Sequence, residues 1–437
     1  MRYFSFAQML GFILIVGLPV SAWSQAIATG QTLSLDAALI AAENHTQAHV
    51  HHAAQADAAR NMAVTAEQLP DPVLQLALNN LVVDGANRWS LTREPMTMSS
   101  VGVTQTFTSA DKRAARADSY EQEARLADVK VVMQLTELRR NTAMAWLQRY
   151  YREQQLGLLQ EQRKENERLV EATEAAYRSG RKLQVDIFMA RSELALIDDR
   201  IQEATTQLMN AITTLTRWIG ASASAPLGAI PKINATSLAT TTLEKTLMQQ
   251  PELLVMAQEE TLAQSEVKLA RENKHEDWTV EFMASRRDSM YGDMVSVGVS
   301  IPLQLGQSKK QDRELAAKQA MVDGVRGERA ELLRTYLAQT QAHVNEWHSN
   351  LERLSRYDTT LIPLALSRTQ AALSAYQSNT APLADVLAAR RAEIDTRLER
   401  LRIEMETAGL WAQLEFLLPP AGENVHARHT NANSSEN

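Results

Sequence analysis

The chain has 437 residues, a formal net charge of −7 at pH 7 and no cysteine. The negative charge gives no indication of a nucleic-acid partner, and the lack of cysteine excludes disulfides and thiolate metal sites. Glycine is sparse at 16 residues and aromatic residues make up only 5% of the chain, whereas Ala, Leu, Glu, Arg and Gln dominate it. Such a composition is typical of long helices and coiled coils.

The first 26 residues have the pattern of an export signal. Arg2 supplies the positive start, residues 9–18 form a short apolar core, and small residues allow cleavage after Ser24 or Ala26. This core is shorter than the roughly 20 apolar residues of a membrane-spanning helix, so we expect segment 1–26 to be removed rather than to anchor the chain. The sequence therefore predicts an exported protein.

Residues 27–219 form a first predicted repeat, in the order helix, two strands and long helical hairpin. A helix is predicted at about 34–69, and strands of alternating apolar and polar residues are predicted at 73–79 and 101–107. The long helix that follows, at roughly 110–177, contains no proline. At about 1.5 Å per residue it would be on the order of 100 Å long, which exceeds what an ordinary globular domain accommodates.

Three histidines lie on the first predicted helix. His45, His49 and His52 follow a spacing of i, i+4 and i+7, which would place them on one helical face and suits Zn²⁺ or a similar ion. The alternative is a solvated polar face that carries a fortuitous histidine stripe, and the sequence leaves both interpretations open.

The chain repeats itself. Residues 175–191 match residues 374–390 with an offset of 199, and residues 100–107 match residues 296–303 with an offset of 196. Matched segments at a nearly constant offset indicate a duplication. The paired residues of the first match include Tyr177 with Tyr376 and Asp186 with Asp385.

A second repeat is therefore predicted at 242–420. Residues 220–241, rich in Ala, Ser and Thr, are the predicted linker, and residues 421–437 are predicted to be a disordered tail. The elements of the second repeat follow the same order: a helix at about 242–275, strands at 278–285 and 295–303, and a long helix at about 308–376 that Pro363 is expected to kink.

The predicted strands have one apolar and one polar face. Val295, Val297 and Val299, for example, all point to the same side. A soluble sheet packed on helices would show the same alternation and stays open as an alternative. Four strands cannot close a membrane barrel, for which about eight are needed, and open strand edges are not tolerated in lipid. If the strands span a membrane, three chains in a symmetric ring would supply twelve.

Over nearly all of its mature length the sequence resembles the TolC-like outer-membrane efflux proteins. The resemblance rests on the doubled turn that begins AYRSG in the first copy and AYQSN in the second, on the doubled VGV strand and on the signal peptide. Residues 67–85 followed by residues 93–107 look most like the CzcC-like subunits that serve heavy-metal efflux pumps.

The resemblance implies a mostly α chain with four strands that forms a homotrimer. A 12-stranded β-barrel would sit in the outer membrane of a Gram-negative bacterium, on an α-helical tunnel in the periplasm. The implied partners are a periplasmic adaptor and an inner-membrane pump of the resistance-nodulation-division type. The chain would be a passive exit duct, with heavy-metal cations as the expected substrate, no cofactor and no enzymatic activity.

The resemblance also implies a gate at the periplasmic tip, formed by residues 177–186 and 376–385. The expected pore and gate residues are Tyr177, Arg181, Asp186, Tyr376 and Asp385, and the expected left-handed residues of the two turns are Gly180 and Asn379.

Two features of the gate depart from the family pattern or stay open. Asp385 matches the first acidic position of the family's carboxylate ring, but Ala388 occupies the second. The basic latch position holds Ala381, for which Arg181 is the candidate replacement. Asp385 has an alternative role, because a carboxylate near a helix N-terminus is favoured by the helix dipole.

Two other functions remain alternatives. One is a periplasmic adaptor or coiled-coil scaffold, and the other is a soluble periplasmic metal-sequestering protein built around His45–His52. No Ser/His/Asp arrangement, phosphate loop or zinc-protease motif occurs in the sequence, so an enzyme is not expected.

Overall fold

A computed structural model describes residues 32–238 and 243–420. The predicted signal peptide (1–26) and the predicted tail (421–437) lie outside the described residues, as do residues 239–242 where the predicted linker meets the second repeat. The described chain is mostly helical with one small sheet, which confirms the prediction of long helical hairpins with four strands.

The elements follow one another in the same order in the two repeats. The first repeat contains α1 (Leu35–His45), α2 (Ala48–Glu67), β1 (Val73–Asn79), β2 (Met98–Phe107), α3 (Ala110–Arg178) and α4 (Gln184–Ile219). The second contains α5 (Leu243–Leu247), α6 (Pro251–Glu272), β3 (Trp278–Arg286), β4 (Met294–Ser300), α7 (Gln311–Arg356), α8 (Ile362–Gln377) and α9 (Leu383–Glu415).

Helix α3 is continuous over 69 residues, as the sequence predicted. It begins at Ser109, whose hydroxyl accepts a hydrogen bond from the backbone N–H of Lys112 (3.2 Å). Asp111 in the first turn and Arg178 in the last turn have the charges that the helix dipole favours at each end. No proline interrupts the helix, which is therefore about 100 Å long.

The equivalent long helix of the second repeat is interrupted. Between α7 and α8 the backbone forms a π-helical turn at Tyr357–Leu361. Pro363 lies in the first turn of α8, two residues after the π-helical turn. Its nitrogen has no hydrogen to donate to a regular helix, and its ring clashes with the preceding turn. The regular helix is thus interrupted next to Pro363, where the sequence predicted a kink. Asp358 of the π-helical turn pairs with Arg400 of α9 (Nε–Oδ1 2.7 Å).

The short helices that open each repeat are divided, and the single helices predicted there were wrong. Thr46 adopts an extended conformation between α1 and α2, and its hydroxyl accepts the N–H of Ala48 (3.1 Å), which starts a new helix. In the second repeat α6 starts at Pro251, which is well suited to a first helical position, and Gln250 caps it through the N–H of Leu253 (3.1 Å).

The four strands form one antiparallel sheet in the order β1-β2-β3-β4. The pairing of β2 with β3 joins the two repeats, and its last pair is Phe107 with Trp278. Those two rings stack with their centroids 4.5 Å apart, which is a favourable aromatic geometry.

The main hydrophobic core lies where α1, α3, α4, α7 and α9 meet. Each repeat contributes a buried tryptophan, Trp146 and Trp347, at equivalent places. Their indole N–H groups donate to the carbonyls of Leu33 (3.1 Å) and Ile233 (3.0 Å), which fixes the segments around the core. No helix in the described ranges is long and apolar enough to cross a membrane.

Helix α6 lies between α3 and α7, whereas α2 packs mainly against α3. On one side of α6 Glu259 pairs with Lys130 of α3 (3.6 Å), and on the other side Glu266 pairs with Lys318 of α7 (2.7 Å). The far side of α2 carries exposed apolar residues such as Val64. The two equivalent helices therefore differ, because α6 has two long neighbours within the chain and α2 has one.

Candidate functional site

One face of the sheet is apolar and exposed. Directly paired residues of an antiparallel sheet share a face, and the registers align Leu74 with Val103, Val103 with Phe282, and Phe282 with Val297. Each of these side chains is about half exposed or more. The exposed aliphatic and aromatic side chains on this face of the strands are Leu74, Leu76, Leu78, Val101, Val103, Trp278, Phe282, Val295, Val297 and Val299.

Gln105 is a polar residue on that apolar face. Its side-chain Nε2 donates to the backbone carbonyls of Pro70 and Thr106, both at 2.8 Å. The amide is thereby bound to the protein itself, so its donor does not depend on surrounding water.

The opposite face of the sheet is polar. Asn79 donates to the Ser100 hydroxyl (2.8 Å), which in turn bonds to the Ser285 hydroxyl (2.7 Å). Thr106 and Thr279 form a similar pair (3.2 Å). The predicted division into an apolar and a polar face is confirmed. No helix of residues 32–238 or 243–420 packs extensively on either face, so the alternative of a sheet packed on helices was wrong.

Both edges of the sheet are open in the described chain. β1 pairs only with β2 and β4 only with β3. Every residue of β4, Met294–Ser300, is exposed. Soluble proteins usually protect such edges, because a free edge pairs readily with another strand.

The second candidate site consists of the turns that close the two long hairpins. Gly180 has φ +73° and Asn379 has φ +65°, so each turn contains the left-handed residue expected from the sequence. The N–H of Gly180 donates to the carbonyl of Tyr177 (2.8 Å), and that of Asn379 donates to the carbonyl of Tyr376 (3.1 Å). The two turns therefore share one backbone design.

Lys182 joins the two turns. Its Nζ donates to the side-chain oxygen of Asn379 (2.7 Å) and to the backbone carbonyl of Tyr376 (3.1 Å). The same Nζ lies 3.9 Å from the centroid of the Tyr376 ring, which is the geometry of a cation–π contact. Lys182 of the first hairpin is thus bound to the second hairpin by three contacts.

Arg181, the candidate for the basic latch, contacts its own turn in the single chain. Its Nε donates to Ser179 of its own turn (2.9 Å), whereas the neighbouring Lys182 contacts the other hairpin. A signal in the sequence would have identified Lys182, because it follows Tyr177 by five residues, as Ala381 follows Tyr376. The basic residue missing from the second copy is present at the equivalent position of the first.

The two turns differ in burial. Tyr376 is 8% exposed and Leu383 is 0% exposed, and both belong to a hydrophobic cluster with Leu169 of α3. Tyr177 is 43% exposed and Leu183 is 69% exposed. The equivalent tyrosines Tyr177 and Tyr376 therefore lie in different surroundings, since Tyr376 packs on the first hairpin.

Asp186 and Asp385 occupy the same place in their helices. Each lies in the first turn, of α4 and α9 respectively, where a carboxylate is favoured by the helix dipole. Asp186 also faces the other hairpin: burial raises the pKa of Tyr376, and the negative charge of Asp186 raises it further. Asp385 is exposed.

The three histidines do not share one helical face. His45 is the last residue of α1, and its ring lies against Gly220, while His49 and His52 belong to α2. The break at Thr46 places His45 on a different helix from His49 and His52, so the predicted single stripe was wrong. Within the described residues no group of three or more His, Cys, Asp or Glu side chains is arranged to hold a metal ion.

Comparison with protein-family models finds no match, and comparison with curated proteins finds none either. Solved structures do match over most of the chain. The crystal structure of CusC, from work on transmembrane channel formation, superposes with a TM-score of 0.75 at 13% identity, covering 89% of this chain and 93% of that chain.

Two further solved structures are similar. The CmeC outer-membrane channel of Campylobacter jejuni gives a TM-score of 0.74 at 11% identity, covering 92% of this chain and 88% of that chain. The outer-membrane protein VceC of Vibrio cholerae gives 0.71 at 15% identity, with coverages of 88% and 95%. The chain therefore has the fold of these outer-membrane proteins.

Proposed function

We propose that this chain is one subunit of a homotrimeric outer-membrane channel that serves as the passive exit duct of a tripartite efflux system. The observation that carries the proposal is the four-stranded sheet with an exposed apolar face and two open edges. An exposed apolar surface of this extent is uncommon on a soluble monomer and marks contact with lipid or protein.

The sheet can lie in a lipid bilayer only if both of its edge strands are paired with other strands. Strands in hydrocarbon need every backbone N–H and C=O paired, and a closed barrel achieves this. Four strands are too few for a barrel, whereas three copies in a ring supply twelve. The apolar face would contact lipid, and the polar face with Ser100 and Glu281 would line a water-filled lumen.

The helices support the same ring. Within residues 32–238 and 243–420, α6 packs between α3 and α7, whereas its equivalent α2 packs mainly against α3. If α7 of a second copy packed on the free side of α2, then α2 would lie between two long helices, as α6 does within the chain. The same packing would then recur all around the ring. The length of α3, about 100 Å, suits a tunnel that extends from the outer membrane across the periplasm.

The turns would form the periplasmic tip and gate. Lys182, Asp186 and Tyr376 come together there, with Asn379 and Gly180 lining the same cleft. Three copies of Asp385 would surround the axis, where like charges attract cations. The alternative role of Asp385 is stabilisation of α9 through the helix dipole. Asp385→Ala separates the two, because only a carboxylate ring predicts weaker cation selectivity in planar bilayers.

The proposed substrates are heavy-metal cations, and the proposed partners are an adaptor and an inner-membrane proton-driven pump. Support for the metal class comes from the sequence resemblance of residues 67–107 to the heavy-metal branch. A conduit need not bind its substrate tightly, since ions must leave again. Growth of a deletion strain across Zn²⁺, Co²⁺, Cd²⁺, Ni²⁺, Cu⁺ and Ag⁺ tests the class; unchanged tolerance to all six would overturn the metal assignment alone.

The channel itself is tested with two matched variants on β4. Val297→Arg places a charge on the apolar face, and Ser296→Arg places it on the polar face. We expect wild type and Ser296→Arg to be extracted from outer membranes only with detergent and to run as trimers by native mass spectrometry, and Val297→Arg to lose the trimer. Wild-type protein that is a stable folded monomer in water would overturn the proposal.

A further inference from the structure

We infer that β4 of one copy pairs antiparallel with β1 of a second copy in one defined register, with Val299 opposite Leu76 and Ser300 opposite Gln75. The inference rests on the proposed function, because it takes the two open edges of the sheet as the contact between copies. It adds the residues that meet at this contact.

The internal repeat identifies equivalent residues in the strands. Leu76 of β1 lies opposite Val101 of β2, and Phe282 of β3 lies opposite Val297 of β4. The matching VGV segments make Val101 equivalent to Val297. Their opposite residues, Leu76 and Phe282, are therefore equivalent as well.

The junction between the two repeats provides the template for the contact between copies. At this junction Val103 of β2 lies opposite Phe282 of β3. The residue equivalent to Val103 is Val299, and the residue equivalent to Phe282 is Leu76. If the ring repeats the same junction, Val299 lies opposite Leu76 of the next copy. The antiparallel ladder then gives the remaining pairs, which include Val297 with Leu78, Ser300 with Gln75 and Ser296 with Asn79.

This register keeps both faces of the sheet continuous across the contact. Val297 and Val299 are exposed on β4, and Leu76 and Leu78 are exposed on β1; the register brings these apolar residues together. A shift by one residue would place apolar side chains opposite polar ones, because successive residues of a strand point to opposite faces. A shift by two would keep the faces but would not reproduce the junction between the repeats.

The arrangement of the helices also favours a second copy of this chain as the partner at the open sheet edges. The free side of α2 and the free edge of β1 belong to the first repeat, while α7 and the free edge of β4 belong to the second. If the second copy is placed relative to the first as the second repeat is placed relative to the first repeat, two contacts form at the same time. β4 of one copy meets β1 of the other, and α7 meets α2. A contact of this head-to-tail kind closes into a ring when its rotation is a whole fraction of a turn, as it is for three copies around one axis.

The register is tested by disulfide formation in a chain that has no cysteine of its own. Ser300→Cys is combined with Gln75→Cys, the pair expected to be directly opposite. The controls combine Ser300→Cys with Val73→Cys or with Ala77→Cys, which differ by two residues and lie on the same face. Residues two positions away are diagonal neighbours at about 7–8 Å, which is too far for a disulfide without backbone movement.

After oxidation in detergent, we expect covalent dimers and trimers from the Gln75→Cys/Ser300→Cys variant, and at least about fivefold less from either control or from the single variants. Each variant is first checked for trimers by native mass spectrometry. Trimers whose strongest cross-link is the Val73 or the Ala77 pair, or that give no cross-link, would overturn the register and leave the channel standing. Absence of trimers in wild type would overturn both.

Discussion

The two hairpins of the molecule share one plan but differ in what surrounds them. Tyr376 and Leu383, which flank the turn of the second hairpin, are buried in a cluster with Leu169 of α3, whereas Tyr177 and Leu183 beside the turn of the first hairpin are exposed. Helix α3 is unbroken, whereas α7 and α8 are separated by a π-helical turn. A duplicated sequence can thus give the same backbone twice, while the neighbours of each copy decide which residues stabilise it and where it bends.

The difference is expected to be greatest at the two leucines near the turns. Leu383→Ala should destabilise the second turn by about 2–5 kcal/mol, because it leaves a cavity in the cluster with Leu169 and Val386. Leu183→Ala removes an exposed side chain and should change stability by no more than about 0.5 kcal/mol. Hydrogen exchange of the amides in each turn measures both effects, and comparable losses in the two variants would contradict the difference in burial.

The link between the hairpins is expected to depend on Lys182 and not on its neighbour. Lys182→Met removes two hydrogen bonds and the cation–π contact with Tyr376, and should weaken the docking of the turns by about 1–2 kcal/mol. Arg181→Met, the matched control, alters only a contact within its own turn. If the tip is the gate, planar-bilayer conductance should rise in the Lys182 variant alone. A rise of the same size in the Arg181 variant would show that Lys182 has no special role.

The π-helical turn should make the second hairpin more sensitive to loss of a charged pair. Asp358→Asn weakens the ion pair between the π-helical turn and Arg400 of α9. Asp198→Asn weakens the corresponding ion pair of the first hairpin, between Arg163 of α3 and Asp198 of α4. Both pairs are partly exposed and contribute up to about 1 kcal/mol. We expect faster amide exchange in α8 after the first change and little change in α3 after the second. Equal responses would mean that the π-helical turn does not loosen its helix.

The smallest expected effect concerns pH. Burial and Asp186 raise the pKa of Tyr376, so the folded state holds the phenol proton more tightly than the unfolded chain does. The stabilisation from the neutral phenol is fully present below the unfolded pKa of about 10 and is lost as the pH rises through the folded value. Wild type should therefore lose more thermal stability above about pH 10 than Tyr376→Phe does. If thermal stability fell equally with pH in wild type and in Tyr376→Phe, the raised pKa of Tyr376 would be contradicted.

The sequence predicted the parts of the fold that depend on local pattern. Period-two alternation located β1 and β3, the lack of proline in residues 110–177 predicted the continuous α3, and Pro363 predicted the interruption before α8. The division at Thr46 was missed because the backbone becomes extended there and the Thr46 hydroxyl starts a new helix, while the apolar and histidine spacing runs through this point without a proline or glycine.

The candidate site was predictable only in part. The left-handed Gly180 and Asn379 follow from the turn motif, since few residues tolerate that conformation. The burial of Tyr376 and the exposure of Tyr177 could not be predicted, because both residues lie in the same motif and differ only in which other helices reach them. Lys182 was accessible through the repeat offset, which pairs it with Ala381.

The open edges of the sheet would expose a single chain to aggregation before it joins other copies. If the chain assembles into the proposed ring, each new copy would carry two unpaired strand edges and an apolar face until it meets other copies, and such surfaces are prone to aggregation. Because closing the ring needs encounters between chains, its rate would depend on how many of them are present at once. Overproduction would then favour misassembled material as well as finished rings.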